Sequence, residues 1–313
     1  MTLLVVGSLA LDSVETPYGK QEEVLGGSAS FFSVCASYFC PVCIVGVVGD
    51  DFPKQHFDFL QQRNIATQGI QKRSGKTFRW RGCYEQNLNI AITLATELNV
   101  FADFSPSVPK IFSQSEYVVL GNIDPVLQLH VLKQIERPKL VACDTMNYWI
   151  KDHKQNLLKT LAHVDLLSVN DAEARLLAEE HNLVKAARAI LRFGPKILTI
   201  KRGEHGVSLF TKDTVFSVPG YPLEHVVDPT GAGDAFAGGL MGFITQKKAS
   251  SIEILRQGIV IGSVMASFTV EDFSLNRIKS LTFAQIRARF REFHDLTGFG
   301  ANDLPAHSFG DVS

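Results

Sequence analysis

Short, unbroken apolar runs recur along the chain, separated by stretches whose apolar residues return at helical spacing. Leu3–Val6, Cys43–Val48, Tyr117–Leu120, Leu140–Cys143, Leu166–Val169 and Ile197–Ile200 read as buried strands. Between them, Phe52, His56, Phe59 and Leu60 fall on one helical face, as do Ala172, Leu176 and Leu177. After Val227 the pattern is helical almost to the end, over about Gly233–Gln246, Ser251–Phe268 and Phe283–Leu296. Strands alternating with helices imply an α/β fold, with a mainly parallel sheet covered by helices on both faces.

Two segments break this rhythm. Residues 12–26 and 75–103 mix polar and apolar positions without helical spacing, and Lys76–Arg81 runs at period two. They read as strands of a small accessory β lid. Phe78, Trp80 and Tyr84 fall on one side of it, and Arg79 and Arg81 on the other. The aromatics either cover a ligand or simply pack the lid. Free lid edges rich in aromatics also predict a homodimer formed through the lid. Residues 1–297 read as one domain. The stretch 298–313, with Gly, Pro, Asn, Asp and Ser, reads as a loose tail.

Composition narrows the function. The chain has 313 residues, 31 Lys plus Arg against 32 Asp plus Glu, and a net charge of −1. No basic excess is available to displace counterions from a nucleic-acid backbone, so a small-molecule substrate is expected and a nucleic acid is not. The longest uncharged apolar stretch, Ile259–Val270, falls short of the roughly 20 residues a membrane span needs. No basic segment precedes the first apolar run, so no signal peptide is expected. Five cysteines, an odd number set mostly in apolar runs, suit a reducing cytoplasm. Cys40 and Cys43 form a C-x-x-C pair, but no second pair completes a metal site. The nine histidines show no metal-like or triad-like spacing. Arg287, Arg289, Arg291 and Glu292 read as a solvated helix face.

The sharpest chemical feature is the string from Val226 to Phe236, V-V-D-P-T-G-A-G-D-A-F. A Pro-Thr turn leads into Gly231 and Gly233, which free backbone N–H groups to face a ligand. The helix that follows adds its positive end, so the loop suits an anion. Asp234 then lies in the first turn, beside that anion. A carboxylate there opposes simple phosphate binding, but it serves a reaction in which a hydroxyl attacking a phosphoryl group must lose its proton. The plain alternative is an acid that favours the helix dipole. A Walker A loop is absent, because the glycine upstream of Gly75-Lys76-Thr77 is Gly69, one residue too far. A dinucleotide fingerprint fails because Phe236 stands where a third glycine is required. Farther upstream, Asn170 and Glu173 have the spacing of a capping box. The same carboxylate could hold the water shell of a Mg²⁺ ion. Lys201 either reaches a phosphate or snorkels at the surface.

The Val226–Phe236 string resembles the C-terminal signature of the PfkB/ribokinase family of carbohydrate and nucleoside kinases. Gly26-Gly27-Ser28-Ala29 resembles the family's N-terminal double glycine, and Asp12 resembles the acid that receives substrate hydroxyls. Asn170-Asp171-Ala172-Glu173 resembles its N-x-x-E motif, and Gly203 to Gly206 resembles its nucleotide-side G-x-x-G turn. The match spans about residues 3–297. It implies a ribokinase-like three-layer sandwich with a lid, and an ATP-dependent kinase acting on a sugar, polyol or nucleoside hydroxyl. By the same resemblance Asp234, Gly231, Ala232 and Gly233 carry the chemistry. Asp12, Gly26, Gly27, Ser28 and Phe31 meet the acceptor, and Asn170, Lys201, Gly203, Gly206 and Thr230 meet the nucleotide. Glu173 serves Mg²⁺, and a monovalent cation such as K⁺ is a family feature near Asp228. Phe31 stands where sugar-using members often carry Asn, similar to the inositol kinases, and would offer a stacking face. Two alternatives stay open: a binding regulator without catalysis, and a kinase of sugar phosphates, which an inward Arg79 or Arg81 would favour.

Overall fold

The computed structural model describes residues 2–298, so the expected tail beyond Gly298 lies outside the described residues. The strands are β1 Leu3–Val6, β2 Ala10–Thr16, β3 Gly19–Gly26, β4 Val42–Val48, β5 Ile65–Lys72, β6 Phe78–Tyr84, β7 Ala91–Glu97, β8 Tyr117–Leu120, β9 Leu140–Asp144, β10 Leu166–Asn170, β11 Ile197–Lys201, β12 Val207–Phe210 and β13 Val215–Val218. Nine of them form the main sheet in the order β13-β12-β11-β10-β9-β8-β1-β4-β5. Pairing is parallel from β11 across to β5, and β12 and β13 close one edge antiparallel.

The apolar runs have a simple cause. Successive side chains of a strand point to opposite faces, and both faces here are covered. Leu3 and Val5 enter one core, which is shared with helices Ser28–Ala36, Ala232–Lys247 and Ile252–Thr269. Leu4 and Val6 enter the other, shared with helices Asp171–Ala178 and Leu183–Leu191. The three-layer architecture expected from the alternation is the one observed. Strand β5 and helix Ser28–Ala36 escaped the reading. In β5 only Ile65 and Gly69 are buried, and the helix buries Ser30 and Ser33 fully, so neither carries an apolar stripe.

The two irregular segments form one four-stranded sheet, β3-β2-β6-β7. Strand β2 continues directly from β1, so the second sheet springs from the C-terminal edge of the first. Its outer strands are free, and β7 is exposed along its length. Arg79 is tied to Glu23 and Asp51, each at 2.8 Å, while Arg81 is exposed.

Two sequence expectations change. Helix Ile252–Thr269 is long and apolar enough to cross a membrane by composition, although Ile259–Val270 alone is not. Its residues Ile259, Gly262, Val264 and Met265 are buried within the fold. Arg289 does not lie on a solvated face. It stacks 3.5 Å from the Phe268 ring and pairs with Glu271 at 2.7 Å.

Close packing of two helices carries the C-terminal half. A Cβ on Gly239 would lie 3.0 Å from the Gly262 Cα, and a Cβ on Gly262 would lie 2.7 Å from the Phe236 ring. Gly262→Val should therefore force helix Ala232–Lys247 away from its neighbour and cost about 1–3 kcal/mol. Thermal unfolding checks this, and an unchanged midpoint would contradict the packing.

Candidate active site

The C-terminal ends of the parallel strands meet the second sheet, and the chemistry-bearing residues gather there. This is the edge where open α/β sheets bind ligands. Asp12 lies on β2, just past the end of β1, and is 6% exposed. Its Oδ2 accepts from the Gly27 N–H at 3.3 Å. A Cβ on Gly26 would overlap the Asp12 carboxylate, so only glycine leaves that carboxylate in place. Gly27 has φ of 87°, and its hydrogen side faces the Ser8 carbonyl, where a Cβ would collide. Ser28 is engaged with Ser8: the Ser28 N–H donates to Ser8 Oγ at 3.1 Å. Burial pushes the Asp12 carboxyl up to about 7, against the pull of the Gly27 N–H, with the nearby Asp228 charge adding to the rise.

The turn from Asp228 to Gly231 is built locally. Asp228 is 1% exposed. It accepts from the Thr230 N–H at 2.9 Å and from the Ser274 N–H at 3.0 Å. Burial raises its carboxyl, and these donors oppose the rise. Gly231 takes φ of 77° and precedes helix Ala232–Lys247, with no side chain capping it. Of the three expected anion donors, the Ala232 N–H is already committed to the Pro229 carbonyl at 3.2 Å. Among the described residues no group accepts from the N–H of Gly231, Gly233 or Asp234. The open donors are therefore these three, a shift from the expected set that comes from the tightness of the turn. The Thr230 hydroxyl donates to the Tyr84 hydroxyl at 3.2 Å, which joins the turn to the second sheet.

Around Asp234 the charges are unbalanced. Lys201, at the end of β11, lies 3.5 Å from Asp144. A Cβ on Gly233 would sit 3.1 Å from its amine, so the glycine leaves room for Lys201 beside the open N–H groups. Burial works to lower the lysine, but Asp144, Glu173 and Asp234 outweigh it and hold it above the usual lysine range. Burial, then the charge of Asp144, pushes Asp234 up to about 7, while Lys201 pulls it down. Glu173 is pushed up to about 7 by burial as well. Its carboxylate accepts from the Asn170 N–H at 2.8 Å, and Asn170 Oδ1 accepts from the Glu173 N–H at 2.8 Å. The capping box is real, and it aims a buried carboxylate into the charged cluster.

Asp144 was missed in the sequence. It is 9% exposed and stands one residue past the recognised apolar run, at the carboxyl end of β9. An acid in that position, like Asp12 after β1, was the available signal. Phe31 departs from expectation. It is 2% exposed, and its ring lies where a Cβ on Gly231 would be, so it offers no open stacking face. Gly203 and Gly206 stand apart from the charged cluster. They shape the turn after β11, where the Arg202 N–H donates to the Gly206 carbonyl at 2.8 Å. Gly203 faces the Asn89 side chain, and Gly206 faces the Val218 carbonyl. Among the described residues no group of three or more His, Cys, Asp or Glu side chains is placed to hold a metal directly, and Cys40 and Cys43 are buried free thiols.

The model of the pfkB family carbohydrate kinases matches residues 2–275. The chain belongs to this family. It is therefore a kinase with a hydroxyl acceptor among sugars or nucleosides. It is 28% identical over 250 residues to a cytidine kinase of Thermococcus kodakarensis, covering 77% of this chain and 87% of that one. The nucleoside kinase structure of Methanocaldococcus jannaschii superposes with a TM-score of 0.74 at 21% identity, over 93% of this chain and 98% of that one. An apo E. coli structure described as a putative ribokinase II gives a TM-score of 0.78 at 18% identity, over 93% of this chain and 99% of that one. These two structures share the ribokinase-type fold with this pfkB kinase.

The Asp12–Gly26 contact yields a test that needs no substrate. In Gly26→Ala the new methyl group should rotate the Asp12 carboxylate off the Gly27 N–H while the fold persists. A crystal structure of the variant reads this directly, and an unmoved Asp12 would contradict it.

Proposed function

We propose that this kinase transfers the γ-phosphoryl group of ATP to a hydroxyl of an uncharged polyol or nucleoside. The observation that carries the reading is Asp234. It is a half-buried carboxylate set beside the open N–H groups of Gly231 and Gly233 and the Lys201 amine. An acceptor hydroxyl held by Asp12 attacks the γ-phosphorus. Its proton passes to Asp234, the bond from phosphorus to the bridging oxygen breaks, and ADP leaves with that electron pair. The open N–H groups and Lys201 face the charge that develops on the phosphoryl oxygens. Asn170 and the turn carrying Gly203 and Gly206 belong to the nucleotide side.

The residues fit Mg²⁺ held through water. Asp144, Glu173 and Asp234 share one lysine, which leaves a net negative charge for a cation to balance. Among the described residues no cluster of direct ligands is formed, so Glu173 would hold the ion through water, alongside the phosphates of the nucleotide. When bound, Mg²⁺ neutralises phosphate charge. Each Asp228 oxygen accepts one N–H and keeps a further lone pair, so a monovalent cation beside Asp228 stays part of the reading.

Arg79 supports a neutral acceptor over a phosphorylated one. It is paired with Glu23 and Asp51 and so is engaged within the protein, and Arg81 is exposed rather than buried in the site. The relative named as a cytidine kinase supports a nucleoside in this role. ATP consumption against nucleosides, inositols, hexoses, pentoses and sugar phosphates tests the reading. Turnover of a neutral member, with one ADP per product, is expected. Turnover of sugar phosphates alone would reverse the acceptor assignment, and no turnover at all would overturn the kinase chemistry.

Asp234→Asn should lower kcat by at least about 100-fold, the lower range for general-base assistance. ATP affinity should hold or tighten, because a negative charge beside the γ-phosphate is removed. Turnover within a few-fold of the parent enzyme would remove Asp234 as the base.

The raised carboxyls set the pH response. Asp234 must be unprotonated to accept a proton, and Asp12 accepts hydroxyl hydrogen bonds best as a carboxylate. Both are pushed up to about 7, so kcat/KM for the acceptor should fall as pH drops through about 7 and level off above it. Because two groups titrate together, the acid limb should be steeper than a single ionisation gives. A profile flat through that window would contradict the assignment.

A further inference from the structure

Gly231 is bonded on one side only: its carbonyl accepts from the Ala235 N–H at 2.8 Å, and its N–H is one of the open groups of the turn. No side chain caps it, and its φ of 77° lies in the left-handed region. Its neighbours are held by hydrogen bonds: Thr230 by Asp228, and Ala232 by Pro229. Among the described residues its own N–H has no partner. On its Cα side stands a ring. The three atoms nearest to a Cβ on Gly231 all belong to Phe31: Cδ1, Cγ and Cε1. That ring is 2% exposed and sits in helix Ser28–Ala36, directly after Gly27, whose N–H binds Asp12.

We propose that Phe31 is a positioning residue: its ring is the support against which Gly231 rests, and it fixes where the N–H groups of Gly231, Gly233 and Asp234 converge. This inference rests on the kinase reading above. The physical case is one of pre-organisation. Donors that must be aimed after the ligand arrives lose much of their value, whereas donors held in place beforehand do not. A phenyl ring suits the task, because it is flat, has two side-chain torsions and fills a large contact area. The same ring links the acceptor-side segment that begins at Gly26 to the phosphate-side turn, so the two halves of the site move as one block.

Phe31→Leu tests this, with Phe32→Leu as the control. Phe32 is the next residue of the same helix and is equally buried, at 3% exposure, but its ring is not among the atoms against Gly231. Assays use cytidine, inosine or myo-inositol, whichever the parent enzyme phosphorylates. Phe31→Leu should lower kcat by about 10–100-fold, the scale of a misplacement near 1 Å, with KM for ATP and acceptor nearly unchanged. Phe32→Leu should lower the thermal midpoint comparably and keep kcat. Phe31→Met, which refills much of the volume, should recover part of the loss. Amide hydrogen exchange gives a readout free of activity: Phe31→Leu should speed exchange at Gly231, Gly233 and Asp234, and Phe32→Leu should not. Equal kcat losses in the two variants, or unchanged exchange at the turn in Phe31→Leu, would overturn the proposal. An inactive parent enzyme would overturn the kinase reading instead, and the exchange comparison would still decide whether the ring supports the turn.

Discussion

A buried excess of negative charge governs the site. Asp144, Glu173 and Asp234 surround the single amine of Lys201, with Asp12 adding its charge from the acceptor side. Carboxylates withdrawn from water resist ionisation, and each neighbour makes the next harder to ionise. The result is that Asp12, Glu173 and Asp234 are poised near neutrality, next to a lysine held firmly charged. Such a cluster is costly in a free protein, but it becomes favourable when a polyanion arrives with its divalent cation. The fold accepts that cost at the carboxyl edge of its sheet, where strand ends deliver charged residues without disturbing the cores.

Close approach is the second requirement, and glycine supplies it. At Gly26 a side chain would displace Asp12, and at Gly233 it would crowd Lys201. At Gly231 it would meet the Phe31 ring in a backbone conformation that already disfavours a Cβ. Each glycine therefore admits one functional partner. The second sheet completes the enclosure through the Thr230–Tyr84 contact, so the turn is held from the core side by an aromatic ring and from the sheet side by a hydroxyl.

The sequence alone determined the layered α/β fold. Runs such as Leu3–Val6 can be apolar at every position only when both sheet faces are covered, and six central strands were legible for that reason. The Val226–Phe236 string likewise marked the turn and the acid on which the proposed chemistry rests, since paired glycines stand there before an acid at a helix start. Tertiary structure decided the rest. Helix Ser28–Ala36 is buried nearly all round, serines included, so no stripe betrays it. Asp144 ends an apolar run in the sequence, but its partner was set only when β9 was placed beside β10, bringing it to Lys201, 57 positions away. Arg289 looked solvated until Phe268 and Glu271 arrived from a distant segment. Phe31 could be located by spacing but not oriented, because which face of a helix meets a turn 200 residues later is set by packing between layers. Local pattern fixes which residues are buried and which turns can form. Only the assembled sheet and its helices determine which charges share one cleft, and that proximity is what shifts their protonation and gives them a chemical task.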